Sequence, residues 1–140
     1  MPMAPKSILS TLAAHLPPST VDYCFSLWRQ HPFDFKLTKK RTSKVGDFCA
    51  PRGKSPMITL NNDLNQYLFL LTYVHEVAHL YAHKKFGARI DPHGQEWKNE
   101  FKVLMAPLLQ ESAFPPEILH ELRLHMADPK ASSFADTALT

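Results

Sequence analysis

One stretch of this sequence constrains the fold more than any other, the segment LNQYLFLLTYVHEVAHLYAHKKF at residues 64–86. Gly87 follows it in the position typical of a helix C-cap, and Asn61, Asn62 or Asp63 can provide the N-cap. Apolar residues occupy most of the girth of the predicted helix, and a helix of this kind is buried on nearly every side. The sequence therefore predicts a long helix that other elements surround.

This predicted helix contains the segment His75-Glu76-Val77-Ala78-His79, which matches the pattern H-E-x-x-H. Side chains at positions i and i+4 project from one helix face, so both imidazoles can reach a single ion at about 2.0–2.1 Å. Zinc lowers the pKa of a bound water towards about 7, and a neighbouring carboxylate can then take its proton. Burying two imidazoles and a carboxylate among apolar neighbours costs desolvation free energy that metal binding can offset. The motif predicts a zinc-dependent hydrolase with ligands His75 and His79 and with Glu76 as general base.

A catalytic zinc site needs a third protein ligand and an open fourth position. His83 lies eight residues from His75. This spacing separates the two by about 12 Å along the axis, at about 1.5 Å per residue, which is too far to share one ion. We therefore expect the third ligand from another element, and His93, flanked by proline and glycine in a tight turn, is favoured. Glu96 and Glu100 on the next predicted helix are rivals, because some zinc hydrolases use a glutamate.

Upstream of the long helix the hydrophobic pattern changes. Residues 33–38 alternate apolar with polar or charged side chains, which is the period-two signature of a strand. We expect two helices before this strand, two strands after it, and antiparallel pairing between neighbours. The predicted helices cover residues 7–16 and 21–30, the second capped by Ser19 or Thr20, and the strands cover 33–38, 44–50, with a bulge at Gly46, and 57–60. Two further helices are predicted over residues 95–109 and 116–126.

The net charge of the chain is only +3, and most of the excess lies in one segment. A basic segment can contact nucleic acid phosphates. It can equally be a solvated strand edge, where lysines block edge-to-edge pairing, or an edge that holds an extended peptide by backbone hydrogen bonds. These interpretations stay open at this point. The residues concerned are Lys36, Lys39, Lys40, Arg41, Lys44, Arg52 and Lys54.

Membrane insertion and secretion are not expected from this sequence. No apolar run reaches the ~18 residues that span a bilayer. The N-terminal stretch 8–16 is interrupted by polar residues and lacks a small-residue cleavage site, unlike a signal peptide. Cys24 and Cys49 are the two cysteines, without a CxxC pair, and we expect both as thiols in a reducing compartment. The predicted location is cytoplasmic.

The segment HEVAHLYAHKKFGARIDPHGQEWKNEF resembles the core of the SprT-like zinc metalloproteases, the group that includes Spartan. In that family an HExxH helix is followed by a His-Gly within a motif resembling PHGxEW, and the resemblance covers about residues 20–125. It implies that His75, His79 and His93 bind zinc and that Glu76 is the catalytic glutamate. It also implies hydrolysis of peptide bonds, often in DNA-bound proteins, with DNA as a regulator. Many members carry a zinc ribbon with paired cysteines, and this sequence has no such pair, which weakens the DNA-repair implication most.

Together these observations predict an α+β fold, a zincin-like single domain. We expect N-terminal helices, a small, mainly antiparallel three-stranded sheet, the HExxH zinc helix and supporting C-terminal helices. Residues 1–18 form an N-terminal helix or extension, 19–127 the SprT-like zinc metalloprotease domain, and 128–140 a polar tail. The predicted cofactor is Zn²⁺, the predicted partner is a protein or peptide substrate, and the region Lys36–Lys44 is a candidate DNA contact.

Two alternatives to a peptidase remain from the sequence. One is a nucleic-acid-associated binding module whose zinc is structural or catalytically silent, which an open metal position beside Glu76 would argue against. The other is a zinc hydrolase that acts on a non-peptide bond. We expect Trp28 and Trp97 in the core rather than as base-stacking platforms. Four side chains are candidates for stabilising the oxyanion of the reaction, namely Tyr73, Tyr81, His83 and Arg41.

Overall fold

The computed structural model of the protein describes residues 3–129. This part of the chain contains five α-helices and one three-stranded sheet, which confirms the predicted α+β class. The elements in chain order are α1 (Pro5–His15), α2 (Val21–Gln30), β1 (Asp34–Thr38), β2 (Gly46–Cys49), β3 (Met57–Asn61), α3 (Gln66–Phe86), α4 (Gln95–Met105) and α5 (Pro116–His125), with 3₁₀ turns at Pro18–Thr20 and Ala106–Leu108.

Helix α3 is the centre of the fold, as its composition predicts. Buried side chains occupy nearly its whole circumference, because the sheet packs against one side of the helix and α4 packs against another. Gly87 ends the helix with a φ of 85°, a left-handed value that favours glycine, and its N–H donates to the carbonyl of His83 at 2.9 Å. The long apolar helix therefore organises the core.

The ends of several helices differ from the predictions. The N-cap of α3 is Asn65, whose Oδ1 accepts from the backbone N–H groups of Tyr67 and Leu68, both at 3.0 Å, and residues 61–63 do not cap it. The reason is that β3 continues through residue 61 and the chain must turn before the helix begins. The Thr20 hydroxyl donates to the carbonyl of Pro17 at 2.8 Å and does not cap α2. The predicted helix over residues 95–109 changes to a 3₁₀ turn after Met105.

The prediction of a mainly antiparallel sheet was wrong, because the sheet is mixed. Its order is β1-β3-β2, with β3 parallel to β1 and antiparallel to β2. The expected bulge at Gly46 is also absent, since Gly46 pairs with Leu60 in regular register. The physical reason for the order lies in β3, whose Ile58 and Leu60 are fully buried against the helices. The central position buries the most apolar strand, and β1 and β2 become the edges.

The loop at residues 39–45, which we call the crossover loop, joins the two edge strands past the end of β3. Asn61 at the end of β3 is 1% exposed and holds this loop. Its Nδ2 donates to the carbonyls of Arg41 at 3.2 Å and Lys44 at 3.0 Å. Its Oδ1 accepts from Nε of Arg41 at 2.8 Å. A single buried amide therefore holds the loop that carries four of the seven residues of the basic segment.

Helix α1 belongs to the same core as the other elements. Helix α1 packs against α2 and buries Ile8 and Leu12 in the same core as α3. The proposed boundary after residue 18 stays a prediction. The predicted polar tail lies outside the described residues from position 130 onward. Among residues 3–129, no helix combines the length and the apolar character needed to cross a membrane.

The Asn61 network generates a stability prediction. Asn61→Ala leaves two loop carbonyls and Nε of Arg41 without their buried partner, so we expect a loss of about 2–4 kcal/mol in the free energy of unfolding. Urea unfolding measures the change. Asn62→Ala is the matched control, since Asn62 is exposed and uses its backbone N–H to pair with Thr38. Equal stability of the two variants would contradict the role assigned to Asn61.

Candidate metal centre

Three histidines come together in the structure, although one of them lies fourteen residues beyond the nearer of the other two in the sequence. His75 and His79 project from α3, and His93 reaches them from the loop between α3 and α4. One ring nitrogen from each lies within 4.8 Å of the others, and the Nε2 atoms of His79 and His93 are 3.1 Å apart. Within residues 3–129, this is the cluster of three or more potential ligands with the spacing to hold a metal ion.

The turn that presents His93 is stabilised by Asp91. The Oδ1 atom of Asp91 accepts from the backbone N–H of His93 at 3.1 Å, and its carbonyl accepts from the N–H of Gly94 at 3.1 Å. A Cβ atom at Gly94 would lie 3.0 Å from Cβ of Asp91, so the turn is too tight for a larger residue without a shift. The Asp-Pro-His-Gly sequence thus directs an otherwise exposed imidazole towards α3.

Trp97 forms the wall behind the three imidazoles. Its indole is fully buried and its Nε1 donates to the carbonyl of His75 at 3.1 Å. The indole stacks on the His79 ring with a centroid distance of 5.4 Å, and its centroid is 4.7 Å from that of His75 and 5.0 Å from that of His93. Both Trp97 and Trp28 are buried, as expected from the sequence. The sequence analysis treated Trp97 as a core residue and missed its contact with all three histidines.

The environment keeps the three imidazoles neutral near pH 7. Burial, reinforced by the neighbouring histidines, holds the pKa of His75 well below its usual value and lowers the pKa of His79 to about 4. Burial also lowers the pKa of His93, partly offset by Asp91. Metal ions bind the neutral imidazole through its nitrogen lone pair. The donor set therefore fits a metal site, and three histidine nitrogens are a ligand set that catalytic zinc uses.

Glu76 lies beside this cluster on the inward side of β2. Its side chain is nearly buried, and Oε2 is 3.9 Å from Nε2 of His75. Burial is the main cause that raises the pKa of Glu76 to about 8, and Asp47 raises it further, while Arg41 and Lys44 oppose the shift. Among the described residues, no group donates a hydrogen bond to this carboxylate. Packing rather than hydrogen bonding therefore determines where the carboxylate lies.

The cluster opens into a cleft of about 730 Å³. Helix α3 forms its floor, and residues 41–48, from the crossover loop and β2, form one wall. The loop after α3, together with Phe101 and His125, forms the other wall. The cleft therefore gives a ligand access to the three histidines and to Glu76 from the same side.

The rival ligands predicted from the sequence lie outside the cluster. His83 lines the cleft and its ring packs near Phe48, with centroids 5.8 Å apart, but it is not among the residues that meet the spacing of a metal group. Glu100 is buried and pairs with Lys85 at 2.9 Å. Glu96 is not among the three residues that meet the spacing of a metal group. The assignment of His93 as third ligand stays a prediction, with the geometry in its favour.

The four oxyanion candidates separate into two groups. The hydroxyls of Tyr73 and Tyr81 donate to α2 carbonyls, those of Cys24 at 2.9 Å and Leu27 at 3.0 Å, and neither tyrosine lines the cleft. Arg41 and His83 do line it.

His125, at the end of α5, also lines the cleft, and nothing in the sequence indicated this position. No local motif marks His125, since the folding of α5 against the core brings it there.

Comparisons with known proteins identify the family of this chain. The model of the SprT-like family matches residues 21–121, which is most of the chain. A segment of 39 residues is 51% identical to Protein SprT of Pseudomonas fluorescens strain SBW25 and covers 28% of this chain and 24% of that protein. A segment of 27 residues is 67% identical to Protein SprT of Pseudomonas aeruginosa strain LESB58 and covers 19% and 16%, respectively. No solved structure matches the chain.

This chain belongs to the SprT-like family, as the PHGxEW-like motif and the HExxH helix indicated. The matched segments span about a quarter or less of the length of these curated relatives. The resemblance inferred from residues 75–101 is therefore confirmed at the level of the family.

The geometry of the cluster predicts how metal affinity responds to substitution. His93→Ala removes one of three ligands, so we expect zinc affinity to fall by more than about 100-fold, beyond the 10- to 100-fold typical of groups that only support a ligand. His83→Ala and Glu96→Ala should change it by less than about tenfold. Competition with a chromogenic chelator measures all three affinities. A larger loss in Glu96→Ala than in His93→Ala would move the third ligand to Glu96.

The raised pKa of Glu76 predicts a pH-dependent stability difference in the metal-free protein. Between the ordinary value of 4.5 and the folded value of about 8, the folded state binds more protons than the unfolded state. The stability contributed by this group therefore falls as pH rises through that range. Glu76→Gln removes the titration, so its stability relative to wild type should increase from pH 5 to pH 8 in urea unfolding with chelator present. Parallel pH profiles would contradict the burial of the carboxyl.

Proposed function

We propose that the protein is a zinc-dependent metallopeptidase in which His75, His79 and His93 hold Zn²⁺ and Glu76 is the general base. The observation that carries this proposal is the convergence of three neutral imidazoles beside a buried carboxylate on the floor of an open cleft. Membership of the SprT-like family supports it. We also propose that the arrangement of a small sheet and an HExxH helix is zincin-like.

The proposed reaction divides its tasks among the residues of the site. A bound zinc ion supplies a Lewis acid that activates water and polarises the scissile carbonyl. Glu76 accepts the proton from the attacking water and returns it to the leaving amine. Burial raises the pKa of Glu76 in the metal-free protein, and the positive charge of a bound zinc ion would lower it again towards the range in which the carboxylate can take and release a proton. Trp97 orients the imidazoles and excludes water from behind them.

The shape of the cleft favours an extended peptide as substrate. Strand β2 is an edge strand that pairs with β3 on one side, and Gly46, Asp47 and Phe48 line the cleft. An edge strand can bind an extended chain by main-chain hydrogen bonds, which give affinity independently of the side chains. We propose that the substrate peptide adds to the open edge of β2 and thereby crosses the floor of the cleft near Glu76.

The basic residues give the proposal its second part, that the substrates are DNA-associated proteins. Lys36, Lys39, Lys40 and Lys44 are exposed, and the crossover loop that carries three of them forms one wall of the cleft. Cations at this position can contact DNA phosphates while a protein bound to the same DNA enters the cleft. The proximity of basic loop and cleft supports this proposal, together with the family resemblance.

Glu76→Gln tests the peptidase proposal. The variant keeps the three histidines and nearly the same side-chain volume, so zinc content should stay at about one equivalent while cleavage falls by at least about 100-fold, because general-base catalysis contributes about 10²–10⁴. The assay uses zinc-loaded protein with a basic DNA-binding protein as substrate, and gel electrophoresis follows its fragments. Equal turnover by wild type and Glu76→Gln would remove Glu76 as the base.

The same assay with and without single-stranded DNA tests the second part. We expect DNA to increase cleavage and the increase to weaken with added salt, because phosphate contacts release counterions. Replacing Lys39 and Lys40 by glutamine should reduce the increase without changing cleavage in the absence of DNA. Zinc-loaded wild type that binds DNA but cleaves no substrate would instead support the alternative of a binding module with a silent zinc site.

A further inference from the structure

Strand β2 approaches helix α3 most closely at Gly46, directly opposite the proposed general base. A Cβ atom at this position would lie 2.6 Å from Cγ2 of Thr72, 3.0 Å from Oε2 of Glu76 and 3.2 Å from Cγ of Glu76. Contacts under 3.0 Å are essentially never seen for real Cβ atoms. The backbone of Gly46 therefore lies against the Glu76 side chain, in space that any other residue would occupy.

Space, and not backbone conformation, requires glycine at this position. The glycines with positive φ in the described part of the chain are Gly53 and Gly87, so an alanine at position 46 meets no conformational strain. The strand cannot easily move outward either, because Gly46 pairs with the fully buried Leu60 and the strand continues in regular register to Cys49. The close approach is thus built into the sheet.

Of the two side chains that face Gly46, Glu76 is the one that can move. Thr72 is buried, and a β-branched side chain in a helix has few rotamers available. The longer Glu76 side chain has more rotatable bonds, and no hydrogen bond from the described residues fixes its carboxylate. A methyl group at position 46 would therefore displace the Glu76 carboxylate. Its contact with Thr72 would also push β2 slightly away from α3.

We propose that Gly46 is a positioning residue that sets the location of the Glu76 carboxylate beside the three histidines. The inference rests on the proposed function for its catalytic consequence, because Glu76 acts as base only in that proposal. Gly46 acts through Glu76 and touches no metal ligand in this role. Residues 44–50 were expected to form a strand, and the structure adds a reason for its glycine.

Gly46→Ala tests the inference by separating metal binding from turnover. Because a displacement of about 1 Å can reduce a rate by about 100-fold, we expect turnover per bound zinc to fall by about 10- to 100-fold, with zinc content unchanged. Gly53→Ala is the control for a general loss of stability, since a φ of 76° strains an alanine there, in an exposed turn away from this cleft, and turnover per bound zinc should stay at the wild-type level. Full turnover in Gly46→Ala would overturn the proposal.

The double variant Gly46→Ala/Thr72→Ser distinguishes positioning from a general loss of stability. Serine removes the Cγ2 atom that makes the 2.6 Å contact and leaves both contacts with Glu76. We expect the melting temperature to recover towards that of Thr72→Ser alone, while turnover stays at least about tenfold below it. Recovery of turnover in step with the melting temperature would show that Gly46 serves only the packing of β2 on α3.

A measurement on the zinc-free protein keeps this inference separate from the proposed function. Nuclear Overhauser spectra should connect the α-protons of Gly46 with the γ-protons of Glu76, and this connection should change in Gly46→Ala. Its absence in wild type would overturn the positioning role whatever the activity. If the connection is present but the wild-type zinc protein cleaves no peptide bond, the proposed function fails while the geometry inferred for Gly46 stands.

Discussion

The fold depends on one constraint. The long apolar helix α3 must be buried, although it carries a carboxyl group and two imidazoles on one face. Helix α3 must be covered on nearly all sides to bury its apolar surface, yet in the proposed function His75, Glu76 and His79 need access to a ligand. The structure meets both demands by covering the helix with the sheet and with α4 and leaving one opening, the cleft. The candidate metal centre is therefore an opening in the core rather than an addition to the surface.

The elements around this gap each contribute a group that the helix itself cannot supply. The loop after α3 brings His93 to the ring nitrogens of α3, and α4 brings Trp97 behind all three rings. Strand β2 has a glycine at position 46, and the missing side chain leaves room for Glu76. Asn61 holds the crossover loop in place at the end of the sheet. Distant parts of the sequence thus converge on a segment of five residues.

The parts of this arrangement that sequence could predict are those determined by local spacing. The i and i+4 histidines, the helix that carries them and the turn around His93 follow from periodicity and turn residues. The sheet order does not, because it depends on which strand is most completely buried, and that is a property of the assembled core. The contact of Gly46 with Glu76 and the arrival of His125 at the cleft depend likewise on packing between elements far apart in the chain.

Burial gives the metal-free site an electrostatic balance that explains how it can exist inside the core. With lowered pKa values, the three histidines carry no proton charge near pH 7, and Glu76, with a pKa of about 8, is largely protonated there. The buried groups are thus neutral before a cation binds, which avoids most of the cost of placing charges in an apolar environment. In the proposed function, the positive charge of a bound divalent cation would favour the ionised form of Glu76. That form is the one that the proposed role as general base requires.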